Sequence, residues 1–339
     1  MTSALTIAER IFIPHSAYLY ASARLDQAFE IANAGGDPDS FALVGPSRAG
    51  ETTVLHNFLK NHPAVREAER NHVPVIFVPT PPLPSAKGLA GVILDTLGHP
   101  DPWRGTEQQI TATVKRCLVG TGTKMLVFDE FQHFYDRWRR TAMIYVADWL
   151  KVLVNDTGIT LVVSGLEQCL AVVDQNEQLA NRLSSPITLS RFRWNIPQER
   201  GEFISILEAY QDEFRASHYD LPSLESERVA YKFWLATGGL MGFIAKLFRQ
   251  AERAAIRGQR KLITLDDFHV AHQESIWAAL RDPEAPKPFA ASFLDRETAD
   301  LNQRAMRIGE PIELPSAPFR HTPRRATRPS LSSVLVAKG

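Results

Sequence analysis

Cysteine and long apolar runs are both scarce in this chain of 339 residues. Only Cys117 and Cys169 are present, which excludes a disulfide framework and a metal site built from cysteine alone. We find no uninterrupted apolar run of about 18 residues, so no segment is expected to cross a membrane. The first residues lack a charged region followed by an apolar core, which argues against secretion. These absences predict a cytoplasmic protein.

Net charge is also lacking, since 38 Lys and Arg balance 38 Asp and Glu. This balance excludes a strong attraction of the whole chain to nucleic acid or membrane. The charge is unevenly placed, however, because residues 314–339 contain no acidic side chain and five basic ones, Arg320, Arg324, Arg325, Arg328 and Lys338. Residues 1–313 therefore carry a net charge of −5. Two hypotheses stay open for the basic end: contacts with DNA or a partner, or a solubilising disordered end.

Short apolar runs alternate with helical patterns between residues 41 and 195. Strands are predicted at 41–44, 73–79, 125–128, 159–164 and 187–189, and helices at 52–61, 85–97, 106–119, 140–154 and 167–174. Continuous apolar strands separated by helices are typical of a parallel sheet covered on both faces. The predicted fold class is therefore α/β, with a five-stranded parallel sheet in a core domain over 41–195.

The remaining segments differ from this core. Residues 1–40 are predicted to be an N-terminal helical segment. After Pro197 the strands stop, and 196–281 is predicted to be a small all-helical lid, with helices at 198–217, 226–237, 241–257 and 265–280. Residues 282–339 are rich in proline, which removes backbone donors and disfavours helix before it. We predict a basic, mostly disordered tail there, with a short helix near 292–306.

A candidate phosphate-binding loop follows the first strand, with the sequence Gly-Pro-Ser-Arg-Ala-Gly-Glu-Thr-Thr over 45–53. The pattern GxxxxGK[ST] between a strand and a helix forms a nest of backbone N–H groups that binds phosphates. The threonine after the pattern's lysine position would place a hydroxyl on Mg²⁺. The predicted cofactor-binding residues are Gly45, Pro46, Ser47, Arg48, Ala49, Gly50, Glu51, Thr52 and Thr53.

Glutamate stands at position 51, where the pattern has lysine. Lysine there neutralises charge on the β- and γ-phosphates during phosphoryl transfer. Two like charges about 4 Å apart instead cost several kcal/mol at an effective dielectric constant of about 20. Three interpretations compete: an ordinary turn without a ligand, a natural nucleotide-binding variant, and replacement of the lysine in an otherwise active protein.

An apolar strand ending in two acids, Asp129 and Glu130, argues against the turn without a ligand. Asp129 is predicted to hold Mg²⁺ together with Thr52, and Glu130 to polarise an attacking water. Ligands of such sheets collect at the carboxyl ends of the strands, and both motifs lie there.

Three other polar residues are candidates for the same chemistry. Ser164 ends the next strand, either as a sensor of the γ-phosphate or attacking water or as the cap of the following helix. Arg182 precedes the last strand, either reaching a neighbouring subunit's nucleotide or lying on the surface at a helix end. Lys246 in the lid is a weaker candidate for a second sensor, and its alternative is a solvated helix lysine.

A cluster of cations and aromatics over 135–140 suggests a nucleic-acid contact. Arg137, Arg139 and Arg140 are predicted to bind DNA phosphates, with aromatic side chains between them for packing on bases or sugars. The alternative is a solvated helix start with Trp138 in the core.

Taken in order, these motifs resemble those of AAA+ ATPases, and more narrowly of the TniB/TnsC family of transposition regulators. Besides the phosphate loop and the acidic strand end, the resemblance rests on the sequences at 43–47, 61–63, 72–75, 79–84, 125–134 and 177–182. It covers about residues 11–280.

The resemblance implies a bacterial cytoplasmic ATPase that binds ATP and Mg²⁺ between subunits. Such proteins form rings or helical filaments on double-stranded target DNA and recruit a DDE transposase, often with a TniQ-type targeting protein. Ser164 matches the family's first sensor and Arg182 its trans-acting arginine. Glu51 departs from the pattern, so a non-hydrolysing AAA+ scaffold is an alternative. A helicase-loader-like or signalling ATPase unrelated to transposition is another.

Overall fold

The computed structural model describes residues 6–66, 71–81, 85–135, 140–276, 285–294 and 296–310. The strands are β1 Ser40–Val44, β2 Val65–Arg66, β3 Asn71–His72, β4 Val75–Pro79, β5 Met125–Asp129, β6 Thr160–Gly165 and β7 Leu183–Thr188. The α-helices are α1 Ile7–Arg10, α2 Ser16–Asn33, α3 Glu51–Asn61, α4 Ala86–Thr96, α5 Glu107–Gly120, α6 Arg140–Thr157, α7 Leu170–Val173, α8 Glu177–Ala180, α9 Pro197–Ala216, α10 Glu227–Thr237, α11 Met241–Arg257, α12 Leu265–Ser275 and α13 Ala299–Met306. Short 3-10 helices occupy Phe131–Phe134 and Glu167–Cys169.

The main sheet has five parallel strands in the order β4-β5-β6-β1-β7, which confirms the predicted sheet. Strand β7 lies at one edge and contains Pro186. Its register against β1 shifts there, since Phe41 pairs with Ser184 but Leu43 pairs with Ile187. Proline cannot donate a ladder hydrogen bond, so an irregular edge strand is where a sheet tolerates it.

Two apolar cores lie on opposite faces of the sheet, because successive strand residues point to opposite sides. Ala42 and Val44 belong to the core covered by α4, α5 and α6. Phe41 and Leu43 belong to the other core, which also contains residues of α2, α3 and the lid helices α9 to α12. The lid therefore shares one continuous core with the sheet, and this fixes its position beside the carboxyl ends of the strands.

The lid is helical, as predicted, and its core is aromatic. The ring of Phe248 stacks on Tyr210 at a centroid distance of 4.4 Å and lies 5.5 Å from Phe233 and 5.2 Å from Phe268. Such rings bury much apolar area each, so they account for a large part of the lid's stability.

The structure departs from the predicted tail at its beginning. Residues 285–294 and 296–310 pack on the lid and on the end of the core domain. Phe289 lies 5.0 Å from the Phe233 ring of the lid, and the buried Arg191 of the core domain donates a hydrogen bond to the Ile308 carbonyl at 3.1 Å. Burial of Phe289 and Ile308 offsets the effect of the prolines. The predicted short helix is present as α13, whereas residues 311–339, with the basic end, lie outside the described residues.

Acid is expected to destabilise the lid through His272. Burial lowers the pKa of this histidine to about 4, and the nearby His269 lowers the pKa further. In the unfolded chain this histidine takes up a proton near pH 6.5, whereas in the folded chain it does so only near pH 4. The free energy of unfolding is therefore highest above pH 6.5 and falls as the pH drops below that value. We expect a loss of about 2 kcal/mol between pH 7 and pH 5.

Urea unfolding at both pH values, with wild type and His272→Gln, measures this loss. The glutamine variant should lose stability at neutral pH but show a shallower dependence on pH. An equal dependence in both proteins would assign it to other groups.

Candidate nucleotide-binding site

The phosphate loop connects β1 to α3, and two of its residues have left-handed backbones, Arg48 with φ of 76° and Gly50 with φ of 116°. Gly45 is required for a different reason. A Cβ atom at this position would lie 2.6 Å from the Leu189 carbonyl oxygen and 2.5 Å from Oε1 of Glu51. The loop therefore has the tight backbone that the two glycines predict, ending at the N-terminus of a helix.

Glu51 is the first residue of α3, and its side chain turns back onto the loop. Its Oε2 accepts a hydrogen bond from the Gly50 N–H at 3.1 Å, while Oε1 lies against Gly45. Burial raises the pKa of this carboxyl to about 7, and the Asp129 and Glu130 carboxylates raise it further. The carboxyl group thus uses a backbone donor that the pattern provides for a phosphate.

Thr52 and Asp129 meet although they are 77 residues apart in sequence. The Thr52 hydroxyl donates to Oδ2 of Asp129 at 3.0 Å, and Asp129 is only 6% exposed. A hydroxyl and a carboxylate are oxygen ligands that suit Mg²⁺, which usually keeps waters and phosphate oxygens as its other ligands. Within the described ranges, no group of three or more His, Cys, Asp or Glu is arranged to hold a metal alone. The pair therefore fits a magnesium ion that arrives with a nucleotide.

Glu130 follows β5 with a left-handed backbone, at φ of 55° and ψ of 36°. Its carboxylate accepts a hydrogen bond from the side-chain amide of Gln132, whose Oε1 accepts from the Leu166 N–H at 3.1 Å. Gln132 was not among the residues predicted from the sequence. Its only signal there was its place two residues after the acidic pair.

Ser164 lies near the carboxyl end of β6, paired with Leu43 of β1. It is fully buried, and its hydroxyl has no hydrogen-bond partner among the described residues. The helix-cap interpretation is wrong, because the 3-10 helix that follows is capped by Leu166 without any side-chain hydrogen bond. A buried hydroxyl without a partner is costly, and a ligand at this edge of the sheet would supply one.

Thr80 is a second such residue, and it too was not predicted from the sequence. It follows β4, its N–H donates to the Asp129 carbonyl at 2.9 Å, and its buried hydroxyl lacks a partner in the described part of the chain. Together, Thr80, Ser164 and the Thr52–Asp129 pair form a polar edge beside the phosphate loop. The residues present therefore fit a nucleotide with Mg²⁺, provided that the Glu51 side chain moves out of the loop.

Arg182 does not join this site. It is exposed and precedes Leu183, which pairs with Ser40 at the first residue of β1. The phosphate loop follows Val44 at the other end of β1, about 13 Å further along the strand. Arg182 therefore lies at the amino-terminal ends of the strands, whereas the phosphate loop of its own chain lies at their carboxyl ends.

The lid contacts the phosphate loop directly. The N–H of Gly242 in α11 donates to the Arg48 carbonyl at 3.0 Å, and a Cβ on Gly242 would lie 3.0 Å from the Cβ of Arg48. The pKa of Lys246, one turn further along α11, is lowered by burial and by the charges of Arg48 and Arg249. The lid thus brings cationic side chains close to the loop.

The predicted DNA-binding cluster falls mostly outside the described residues. Arg137, Trp138 and Arg139 are among residues 136–139, which the structure does not describe, and Arg140 is the first residue of α6. None of the described helices is long and apolar enough to span a bilayer.

Comparison with known proteins identifies one family. The model of the family described as Bacterial TniB protein matches residues 4–194, more than half of the chain. No curated protein matches the chain at a significant level.

Several solved structures share the fold. Cdc6p from Pyrobaculum aerophilum has a TM-score of 0.58 at 16% identity, covering 80% of this chain and 71% of that chain. The Aeropyrum pernix ORC1 protein in complex with DNA has a TM-score of 0.55 at 17% identity, covering 78% and 66%. The Aeropyrum pernix ORC2 protein, in ADPNP–ADP complexes, has a TM-score of 0.54 at 15% identity, covering 80% and 72%. These similarities show the AAA+ ATPase fold.

Proposed function

The chain belongs to the TniB family of transposition-associated AAA+ ATPases, and we propose that it binds ATP at the phosphate loop, oligomerises on double-stranded target DNA and recruits a DDE transposase. A TniQ-type targeting protein is the proposed further partner. The observation that carries the nucleotide part of this proposal is the contact between Thr52 and Asp129, together with the Ser164 hydroxyl, which has no partner among the described residues.

Each residue of the site has a distinct role in this proposal. The loop residues 45–53 bind the phosphates, while Thr52 and Asp129 hold Mg²⁺, which neutralises phosphate charge when bound. Ser164 donates its free hydroxyl to a phosphate oxygen or to the attacking water. Glu130 polarises that water. Arg182 serves the site of a neighbouring subunit, which is consistent with its place at the amino-terminal ends of the strands.

A non-hydrolysing scaffold is the second candidate, and one observation favours it. The Glu51 carboxyl group is hydrogen-bonded inside the phosphate loop and brings negative charge where ATP carries its own. In that case the protein would assemble on DNA without turning over nucleotide. A helicase-loader-like or signalling ATPase without a link to transposition is disfavoured by the family match over residues 4–194.

Contacts with DNA are proposed for Arg137, Arg139 and Arg140. We expect Arg137→Ala combined with Arg140→Ala to weaken duplex binding and to flatten its dependence on salt. Each lost phosphate contact reduces the slope of log K against log salt by about 0.9. Fluorescence anisotropy at several salt concentrations, with an ATP analogue present, measures this slope. Electron micrographs of the same samples should show regular oligomers on DNA with wild type and fewer with the variant.

The matched control is Arg104→Ala combined with Arg116→Ala, which removes two exposed arginines elsewhere in the core domain. It should leave the slope unchanged. Equal slopes for all three proteins would contradict the assigned DNA contacts, and failure of wild type to assemble on DNA would contradict the proposed function itself.

A further inference from the structure

We propose that Gln132 is a positioning residue that couples the Glu130 carboxylate to the backbone at the end of β6. Its significance for catalysis rests on the proposed function, since Glu130 is assigned there as the residue that polarises water. The coupling itself is a property of the folded chain, formed by two hydrogen bonds of the Gln132 amide.

Both ends of one side-chain amide are used in this contact. The Leu166 N–H can only donate, so the atom that it contacts at 3.1 Å must be the oxygen of Gln132. The other end is then the NH₂ group, which is the donor that the Glu130 carboxylate needs. The orientation of the amide is therefore fixed by its two partners, and no other orientation satisfies both.

Gly165 makes room for this amide. A Cβ atom at position 165 would lie 1.9 Å from Oε1 of Gln132 and 3.1 Å from its Cδ. Residue 165 also has φ of 147°, which side-chain-bearing residues rarely adopt. Glycine at the end of β6 is thus required by the position of Gln132 as well as by the backbone.

The bridge that the Gln132 amide forms, from the Leu166 N–H to the Glu130 carboxylate, connects two parts of the site. The Gly45 N–H of the phosphate loop donates to the Gly165 carbonyl at 3.3 Å. Ser164, whose hydroxyl has no partner in the part of the chain that the structure describes, precedes Gly165. Gln132 itself lies in the 3-10 helix that the buried rings of Phe131 and Phe134 anchor in the core. A ligand that shifts 164–166 would therefore pull on the Gln132 amide and, through it, on Glu130.

The bridge is tested first by amide hydrogen exchange at Leu166 in the full chain without nucleotide. Gln132→Met keeps a similar side-chain length but has no acceptor of comparable strength, so exchange at Leu166 should be about fivefold faster or more. Gln168→Met makes the same substitution two residues after Leu166 and should leave its exchange unchanged. Unchanged exchange in Gln132→Met overturns the proposal.

Coupling to Glu130 is tested by a double-mutant cycle with the same readout. Glu130→Ala should accelerate exchange at Leu166 in wild type, because Gln132 loses its second partner, but not in the Gln132→Met background. Equal effects in both backgrounds would also overturn the proposal.

The catalytic role is tested by measuring ATP turnover. The Gln132 substitutions are made in wild type if it hydrolyses ATP, and otherwise in Glu51→Lys. Gln132→Met should lower kcat by about tenfold or more with little change in KM, since Gln132 contacts the base and not the loop. Gln132→Glu should do the same, because a carboxylate cannot donate to Glu130. An unchanged kcat refutes the positioning role. If no protein hydrolyses ATP, the hydrolytic function fails, while the exchange cycle still decides whether the coupling exists.

Discussion

Replacing Glu51 by lysine is expected to tighten the binding of a non-hydrolysable ATP analogue by about 100-fold or more. The wild-type carboxyl group occupies the Gly50 N–H and lies against Gly45, so a phosphate must displace it and then tolerate its charge. Because burial and the Asp129 and Glu130 carboxylates raise the pKa of Glu51 to about 7, this carboxyl group can take up a proton beside the phosphate, which limits the repulsion. A lysine ammonium about 4 Å from a phosphate charge is instead attracted by several kcal/mol at an effective dielectric constant of about 20, and each 1.4 kcal/mol is a factor of ten in affinity. Lysine removes the repulsion and adds an attraction.

Glu51→Gln separates the two contributions. Glutamine has the same size and removes the charge, but it does not supply a cation. Its affinity should lie between those of wild type and Glu51→Lys. Titration calorimetry with the analogue and Mg²⁺ measures all three proteins under one condition. If the three affinities agree within about threefold, the Glu51 side chain has no influence on nucleotide binding.

Turnover of ATP by the same proteins, with and without duplex DNA, distinguishes the two candidate functions. A strong rise in Glu51→Lys alone would favour the scaffold function for this chain. Equal turnover would mean that a lysine at position 51 is dispensable here.

The sequence predicts the sheet well because its strands are buried on both faces and therefore read as continuous apolar runs. Their parallel order also brings Gly45, Asp129 and Ser164 to one edge, as expected. Gln132 and Thr80 could not be predicted in this way. Their roles come from contacts with Leu166 and Asp129 that depend on side-chain and loop geometry.

The Glu51 side chain and residues 285–310 also have positions that could not be predicted from the sequence. The direction of the Glu51 side chain, back into its own loop, depends on the local backbone at Gly50 and not on any periodic pattern. The packing of residues 285–310 on the lid depends on a few apolar side chains, such as Phe289, inside a proline-rich segment. Composition averages over such residues, and it predicts a mostly disordered segment with one short helix.

A buried carboxylate joins α1 to the lid. Glu252 of α11 is only 2% exposed, and its carboxylate accepts hydrogen bonds from the N–H groups of Ile7 at 2.7 Å and Ala8 at 3.0 Å. These donors begin α1, where a helix leaves its N–H groups without internal partners. Glu252→Ala is therefore expected to lower the free energy of unfolding by about 3 kcal/mol, because two buried donors lose a charged acceptor.

The neighbouring residue on α11 provides a matched control. Arg253 pairs with Glu9 of the same helix α1 at 2.7 Å, but its side chain is 43% exposed. Arg253→Ala should cost less than about 1 kcal/mol, as exposed ion pairs usually do. Urea unfolding of both variants gives the two values, and limited proteolysis should cut Glu252→Ala near residues 6–15 before any other site.

Comparing Glu252→Ala with Arg253→Ala tests whether the lid and the core domain unfold together. The family match ends at residue 194, whereas Glu252 lies beyond it in the lid and holds residues at the start of the matched region. If wild type unfolds in one transition and the alanine variant in two, this contact joins the lid and the core domain into one cooperative unit. If Glu252→Ala loses no more stability than Arg253→Ala, the buried carboxylate contributes little, and the shared apolar core alone joins the lid to the sheet.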